Sequence, residues 1–158
     1  MTNSKKNRQG RVVTVNKQAR RDFEITDKVE AGIALSGSEV KSLRNGQADL
    51  SGSYAWIGNG QCWLVNANIS PYKQAGVFGH DPKQNRKLLL HKAEIRKLWS
   101  KVEQRGFTLV PLSIYFNSRG YAKVELGLGR GKRKYDKRKD ITEKQQKRDI
   151  ERMMKKYK

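Results

Sequence analysis

The chain has 158 residues, with 35 Lys and Arg against 15 Asp and Glu, a net charge of +20. Such a charge repels itself, and phosphate relieves the repulsion, so a polyanionic partner is expected rather than a merely soluble basic surface. A single cysteine, Cys62, and two histidines, His80 and His91, exclude an internal disulfide and a cysteine metal cage, and suit a reducing cytoplasm.

No run approaches the length of a spanning helix, and no apolar segment follows a basic start as in a secretory leader, so no membrane association is expected. The length suits one domain with appendages. Residues 1–11 are polar, with Lys5, Lys6, Arg8 and Arg11 and no acid, and read as a flexible basic arm. Residues 12–129 form the body and 130–158 a basic tail.

Val12–Val15 reads as a short strand leading into a basic turn, Asn16-Lys17-Gln18-Ala19-Arg20-Arg21. Asp22–Ile25 alternates like a strand, and Thr26-Asp27-Lys28 is expected to turn the chain. Val29, Ala31, Ile33 and Leu35 then alternate with Glu30, Gly32 and Ala34, so one face is buried and Glu30 points outward. Two readings of Glu30 stay open on the residues alone. It is either an ordinary solvated carboxylate beside a lysine, the commoner arrangement, or an acceptor for base amino groups.

Gly37-Ser38 opens a short helix to about Arg44, with Ser38 as its expected N-cap and Asn45-Gly46 as its left-handed stop. Val40 and Leu43 face the core, Lys41 and Arg44 the solvent. Ser53–Ile57 and Cys62–Ile69 flank Gly58-Asn59-Gly60 as a hairpin. Trp63, Val65, Ala67 and Ile69 share one face, and Trp56 and Trp63 read as core or barrel-rim residues rather than base-stacking platforms.

Residues 70–87 are a long loop containing Pro71 and Pro82, of the kind usually functional or mobile. Lys92–Arg105 is the strongest helix of the body: Ile95, Leu98, Trp99 and Val102 recur at helical spacing, and Gly106 stops it. His91 reads as a cap. No Ser or Cys nucleophile is spaced to be served by His80 or His91. Thr108–Phe116 and Tyr121–Leu128 make a second hairpin, with Val110, Leu112, Ile114 and Phe116 on one face and Ala122, Val124, Leu126 and Leu128 on its partner. Pro111 lacks an N–H and belongs at an edge or a bulge.

About six strands in antiparallel hairpins need their edges closed. The expected fold is therefore mainly β with minor α: a small antiparallel OB-like β-barrel with about two flanking helices. From Arg130 onward 14 Lys and Arg meet 5 Asp and Glu, so the tail carries +9 and leaves +11 to the body. Gly127, Gly129 and Gly131 are expected to loosen the exit from the last strand. Asp140-Ile141-Thr142-Glu143 resembles a capping box, and Ile150, Met153, Met154 and Tyr157 form one narrow apolar stripe. A helix so short and so charged is weak alone, so the tail is expected to be disordered when free and helical when docked on RNA. A coiled-coil partner is the alternative for that stripe.

Five stretches together resemble the small protein B, or SsrA-binding protein, family: Asn16–Arg20, Glu30–Leu35, Gly37–Arg44, Arg86–His91, and Gly131-Lys132 through Asp136-Lys137-Arg138. They recur in the family's order across nearly the whole chain. Arg21 stands where many members have His, and Gln146 where some have a tail Trp, so the resemblance implies no stacking contact from either.

The resemblance implies ribosome rescue. The family binds the tRNA-like domain of transfer-messenger RNA and delivers it, with elongation factor Tu, to ribosomes stalled without a codon. The tail then occupies the decoding centre and the empty mRNA channel. On this reading Asn16, Lys17, Arg20, Lys41, Arg44, Arg86, Lys87 and Lys123 hold phosphates and sugars. Glu30 reads a base and Leu90 packs at the RNA. Gly131 is the hinge, and Asp136, Lys137 and Arg138 meet the decoding centre. No cofactor and no enzymatic activity are implied, and a monomer is expected. A basic ribosomal protein or general RNA chaperone is the alternative, and an RNA-processing enzyme finds no nucleotide loop, metal constellation or base–nucleophile pair to support it.

Overall fold

In the computed structural model, residues 10–103, 106–132 and 134–156 are described; the expected arm, up to residue 9, and Tyr157 lie outside them. In chain order the elements are β1 (Val12–Val15), α1 (Lys17–Asp22), β2 (Phe23–Ile33), α2 (Gly37–Arg44), β3 (Ala48–Asp49), β4 (Tyr54–Gly58) and β5 (Gln61–Val65). They continue with β6 (Asn68–Ile69), β7 (Arg86–Leu89), α3 (Lys92–Glu103), β8 (Phe107–Phe116), β9 (Ala122–Gly131) and α4 (Lys134–Lys156).

All pairings are antiparallel, and the main sheet runs β1-β8-β4-β5-β7-β2-β9 with a further pairing of β9 to β8. The ladder therefore returns to β8 and closes a ring of six strands, with β1 added outside β8. Leu64, Leu88, Leu109, Ile114, Val124 and Leu126 fill its interior. α2 and α3 contribute Leu43, Ile95 and Leu98 to the same core. A 3₁₀ segment, Lys73–Phe78, breaks the long loop.

Several expectations are corrected. Asn16–Arg21 is not a turn: Asn16 caps α1 by accepting the Ala19 N–H at 3.1 Å. Thr26–Lys28 does not turn the chain either. β2 passes through as one strand with a bulge between Ile25 and Asp27, and the Thr26 hydroxyl donates to the Leu128 carbonyl at 3.1 Å. Helix α2 is capped by Ser36, two residues before the expected Ser38, and the Ser36 N–H donates to Glu39 at 2.9 Å. At the head of α3 the His91 backbone N–H donates to Glu94 at 3.1 Å, so the backbone rather than the imidazole joins the cap.

Face assignments also shift. Cys62 and Leu64 are the buried residues of β5, and Trp63 and Val65 turn outward. Positive φ at Asn66 then resets the phase, so Ala67 and Ile69 are buried. Trp56 is 53% exposed and Trp99 43% exposed, so neither is core. In β8 the bulge between Pro111 and Ser113 splits the expected single face. Leu109, Ile114 and Phe116 line the barrel, whereas Val110 and Leu112 join Ala19, Phe23 and Ile25 in a second cluster beneath α1.

Gly127 and Gly129 do not loosen the last strand. They sit buried in β9 where a β-carbon would stand 3.0 Å from Leu112 Cδ1 and 2.7 Å from the Glu24 carbonyl oxygen. They are glycine because two neighbours pass too close for a side chain. The body thus extends to Gly131, and α4 begins at Lys134, so Asp140 is inside the helix rather than at its start.

One buried ion pair holds α2 against β7 and the loop before it. The Arg86 Nε donates to Glu39 at 2.7 Å, and its other nitrogens donate to the carbonyls of Ala67, Gln84, Asp81 and Pro82. Both side chains are 1% exposed. Burial pushes the Glu39 carboxyl up, but donors from Ser36, Arg86 and Gln84 outweigh it and hold the pKa below the ordinary value. A carboxyl depressed on folding contributes stability that is present above its unfolded pKa and is lost as pH falls through the folded one. Glu39→Gln should therefore cost about 3–5 kcal/mol at neutral pH, because Arg86 stays charged and buried. Urea unfolding should show the gap from the parent protein closing as the pH drops below about 4.

Candidate nucleic-acid interface

The sequence-predicted residues fall into separate groups. At one end of β2, Gly32 pairs with Lys123 of β9 on one side and Leu89 of β7 on the other. Glu30 lies two residues back on the same outward face, opposite Glu125. Lys87 is exposed on β7, and Leu90 is half-buried where β7 leaves the sheet. Glu30, Lys87 and Lys123 therefore share the outward face around Gly32, whose open side is flanked by the half-exposed Leu89 side chain, while Leu90 packs against the core.

Glu30 is exposed, as its phase requires, but it is held. The Tyr115 hydroxyl, on β8 across β9, donates to its carboxylate. Tyr115 is only 2% exposed, and because it pairs with Lys123, which pairs with Gly32, it stands on the same face of the sheet as Glu30 and reaches the carboxylate sideways across β9. Burial, then the facing Glu30 charge, push the phenol well above its ordinary pKa, so it stays a donor. Beside this pair, Glu125 is neutralised by Lys28 Nζ at 3.6 Å and accepts from Ser113 at 3.3 Å. The result is one fixed, outward carboxylate in a basic protein, suited to accept from base amino groups. Sequence reasoning missed Tyr115, because nothing local links it to a residue 85 positions away.

Lys17 and Arg20 are exposed on α1, at the opposite end of β2, where Phe23 pairs with Gly131. The strand exit is tied there: the Lys132 N–H donates to the Asp22 carbonyl at 2.8 Å, and Arg130 lies over the Phe107 ring at 4.4 Å. Gly131, the expected hinge, is thus the last paired residue of β9. Arg138 is exposed on α4, and Asp136 and Lys137 lie in its backbone. Lys41 and Arg44 stand on the solvent side of α2, with the Lys41 ammonium 5.3 Å from the Tyr72 ring centre.

Two predicted contacts are internal. Asn16 is 5% exposed, and its amide donates to the carbonyls of Leu50 and Pro111. Arg86 is 2% exposed and fully engaged by the bonds above. Neither has a donor left for phosphate; Asn16 positions α1 and Arg86 positions β7.

His80 pins the long loop: one ring nitrogen lies 2.9 Å from the Ile69 carbonyl, which only accepts, so that nitrogen donates, and the other is 2.8 Å from Ser38 Oγ. This Ser–His pair was not anticipated. Its imidazole is oriented by a carbonyl rather than a carboxylate. Among the described residues no cluster of His, Cys, Asp and Glu could hold a metal.

The closed antiparallel sheet, the fixed carboxylate among outward lysines and the basic helix at the far end define a polyanion-binding protein. The family described as SmpB protein matches residues 13–156. The SsrA-binding protein of Moorella thermoacetica is 52% identical over 147 residues, covering 93% of this chain and 95% of the relative. That of Nostoc punctiforme is 50% identical over 155 residues, covering 98% and 99%. A solved structure described as "tmRNA-SmpB: a journey to the center of the bacterial ribosome" superposes with a TM-score of 0.68 and 52% identity, covering 84% of this chain and 95% of that one. The chain belongs to the SmpB family.

Tyr115→Phe keeps the ring and removes only the donor to Glu30. It should leave the thermal unfolding midpoint nearly unchanged and weaken binding to a tRNA-like RNA about 3- to 10-fold. In a Glu30→Ala background, where the acceptor is gone, the same change should have little further effect; additive losses would mean that Tyr115 acts elsewhere.

Proposed function

We propose that this protein binds the tRNA-like domain of transfer-messenger RNA at the Glu30 end of β2 and carries it to stalled ribosomes for trans-translation. The observation that carries the proposal is the geometry of the β2–β9 ladder: a rigid head site at one end and a cationic helix leaving from the other. Kinship with SsrA-binding proteins along nearly the whole chain, and the similarity to a chain seen with transfer-messenger RNA and the ribosome, support it.

The head acts by shape and by one base contact. Lys87, Lys123, Lys41 and Arg44 offer cations to phosphate, and Glu30 accepts hydrogen bonds from an unpaired base edge. Leu90 covers the sugar face beside it. Binding there costs little reorganisation, because Tyr115 already holds the carboxylate.

The tail acts by charge and vacancy. Residues from Lys134 to Lys156 project as a helix with an exposed apolar line, Ile150, Met153 and Met154, among cations. A groove walled by phosphate and emptied of messenger accepts such a helix, and a groove still filled by messenger does not. In this reading Asp136, Lys137 and Arg138 sit at the decoding centre, the hinge lies just beyond Gly131, and the tail orders on docking. The protein works in the cytoplasm as a monomer, with elongation factor Tu on the same RNA, and supplies recognition rather than catalysis.

A stop after Lys132 keeps the whole ladder. It should leave affinity for the tRNA-like domain within about 3-fold, since none of the head contacts is removed. Peptide tagging on stalled ribosomes should disappear. A parallel fall in both would refute the division into head and tail, and equal occupancy of stalled and translating ribosomes would point to a ribosomal protein instead. Separately, Glu30→Ala should weaken RNA binding about 5- to 100-fold although it removes a negative charge; tighter binding in a gel-shift titration would show Glu30 to be merely repulsive.

A further inference from the structure

The side of the barrel formed by β4, β5 and β7 carries an aromatic surface whose rings the head and tail do not use, and which meets the head only at Lys87. Trp56 of β4 and Trp63 of β5 are directly paired, and Trp63 is in turn paired with Lys87 of β7. Tyr54, 44% exposed, lies two residues from Trp56 on the same outward face. The three strands read Tyr-Ala-Trp-Ile-Gly, Gln-Cys-Trp-Leu-Val and Arg-Lys-Leu-Leu, with no acid among them. The acids of the sheet gather elsewhere, on β2 and β9.

The posture of Trp56 matters most. A β-carbon at Gly58 would stand 2.2, 2.6 and 2.8 Å from three consecutive carbons of its ring. The flanking carbons are nearly as near as the middle one, which is how a ring lies face-on rather than edge-on. Trp56 therefore lies flat over Gly58, one face on the backbone and the other in solvent, with the whole residue 53% exposed. A large ring held flat and open is poorly explained by packing alone, since a packed tryptophan covers both faces. Flat rings on a sheet beside a cation are what unpaired bases stack on, the cation taking the adjoining phosphate.

We propose that Trp56 and Trp63, flanked by Tyr54 and Lys87, form a second RNA site that stacks unpaired bases of a single-stranded segment without reading their sequence. The site does not rest on the Glu30 reading, because it needs no folded RNA domain.

The test uses the full chain, a labelled 12-nucleotide oligoadenylate and a ribose-phosphate chain of the same length without bases. The tail and arm attract both by charge; only the oligoadenylate can stack. It should bind about 5- to 100-fold more tightly than the abasic chain and quench tryptophan emission in a Trp99→Phe background, as expected for one or two stacked bases. A Trp56→Ala, Trp63→Ala double variant should bring oligoadenylate down toward the abasic affinity, and Trp56→Phe, Trp63→Phe should retain most of the difference. Equal affinity for the two probes, with no quenching of the unmutated pair, would overturn the proposal even if the alanine variant failed to fold. Unchanged oligoadenylate binding by a folded alanine variant would do so too, and would return this face to contact with a protein.

Discussion

From Phe23 against Gly131 to Gly32 against Lys123, β2 is held by β9 along its length, and this pairing decides how far apart the two functional ends lie. At ~3.3 Å per residue the separation is roughly 30 Å. The pairing tolerates only small residues at two points, Gly127 and Gly129, because Leu112 and the Glu24 carbonyl pass directly over them. A side chain at Gly129 would run into the Glu24 backbone and push β9 from β2, whereas at Gly127 the Leu112 and Ile25 side chains would have to give way. Glu30 and the root of α4 are thus positioned by one ladder, which keeps the two ends in constant relation.

The chain uses its few acids to make its many cations orderly. Asp27 holds Lys101 and so fastens α3 across the β2 bulge. Glu39 holds Arg86 inside. Glu125 meets Lys28, whereas Glu30 is met by a neutral phenol. That contrast separates Glu30 from the other acids better than its exposure does. An exposed carboxylate in a protein of net charge +20 would ordinarily attract a lysine; here a buried tyrosine on the same face donates to it instead, which leaves the carboxylate its charge and its remaining lone pairs.

Much of this was legible in the sequence, and what was not has a physical reason. Alternation marked β2, β8 and β9, and helical spacing marked α3, because burial imposes a period that local residues record. Alternation shows that two faces exist without saying which is inside. In Tyr54–Gly58 the barrel took the smaller set, Ala55 and Ile57, because an interior of six strands has no room for tryptophan. Arg86 looked like the first of two basic contacts, yet it shares its phase with Leu88 and its partner is 47 residues away. The bulges at Ile25–Asp27 and Pro111–Ser113 were signalled only by turn-like residues and one proline. A bulge inverts every face assignment beyond it, so a single missed residue divided Val110 and Leu112 from Ile114 and Phe116.

The tail follows different rules from the body, and the junction shows why. Up to Lys132 the chain is fixed by backbone bonds, the last being Lys132 N–H to the Asp22 carbonyl. Beyond it, Ile141, Ile150, Met153 and Met154 are all more than half exposed, so α4 buries almost nothing of its apolar line against the body. Most helical stability in proteins comes from a buried face. A helix that lacks one owes its order to propensity alone, and its orientation to whatever surface it meets. The root of α4 is tied at the α1 end of the ladder, so the helix sets out from the opposite end of β2 to Glu30. If the proposed function holds, the RNA at the head and the groove met by the tail start from points about one ladder length apart.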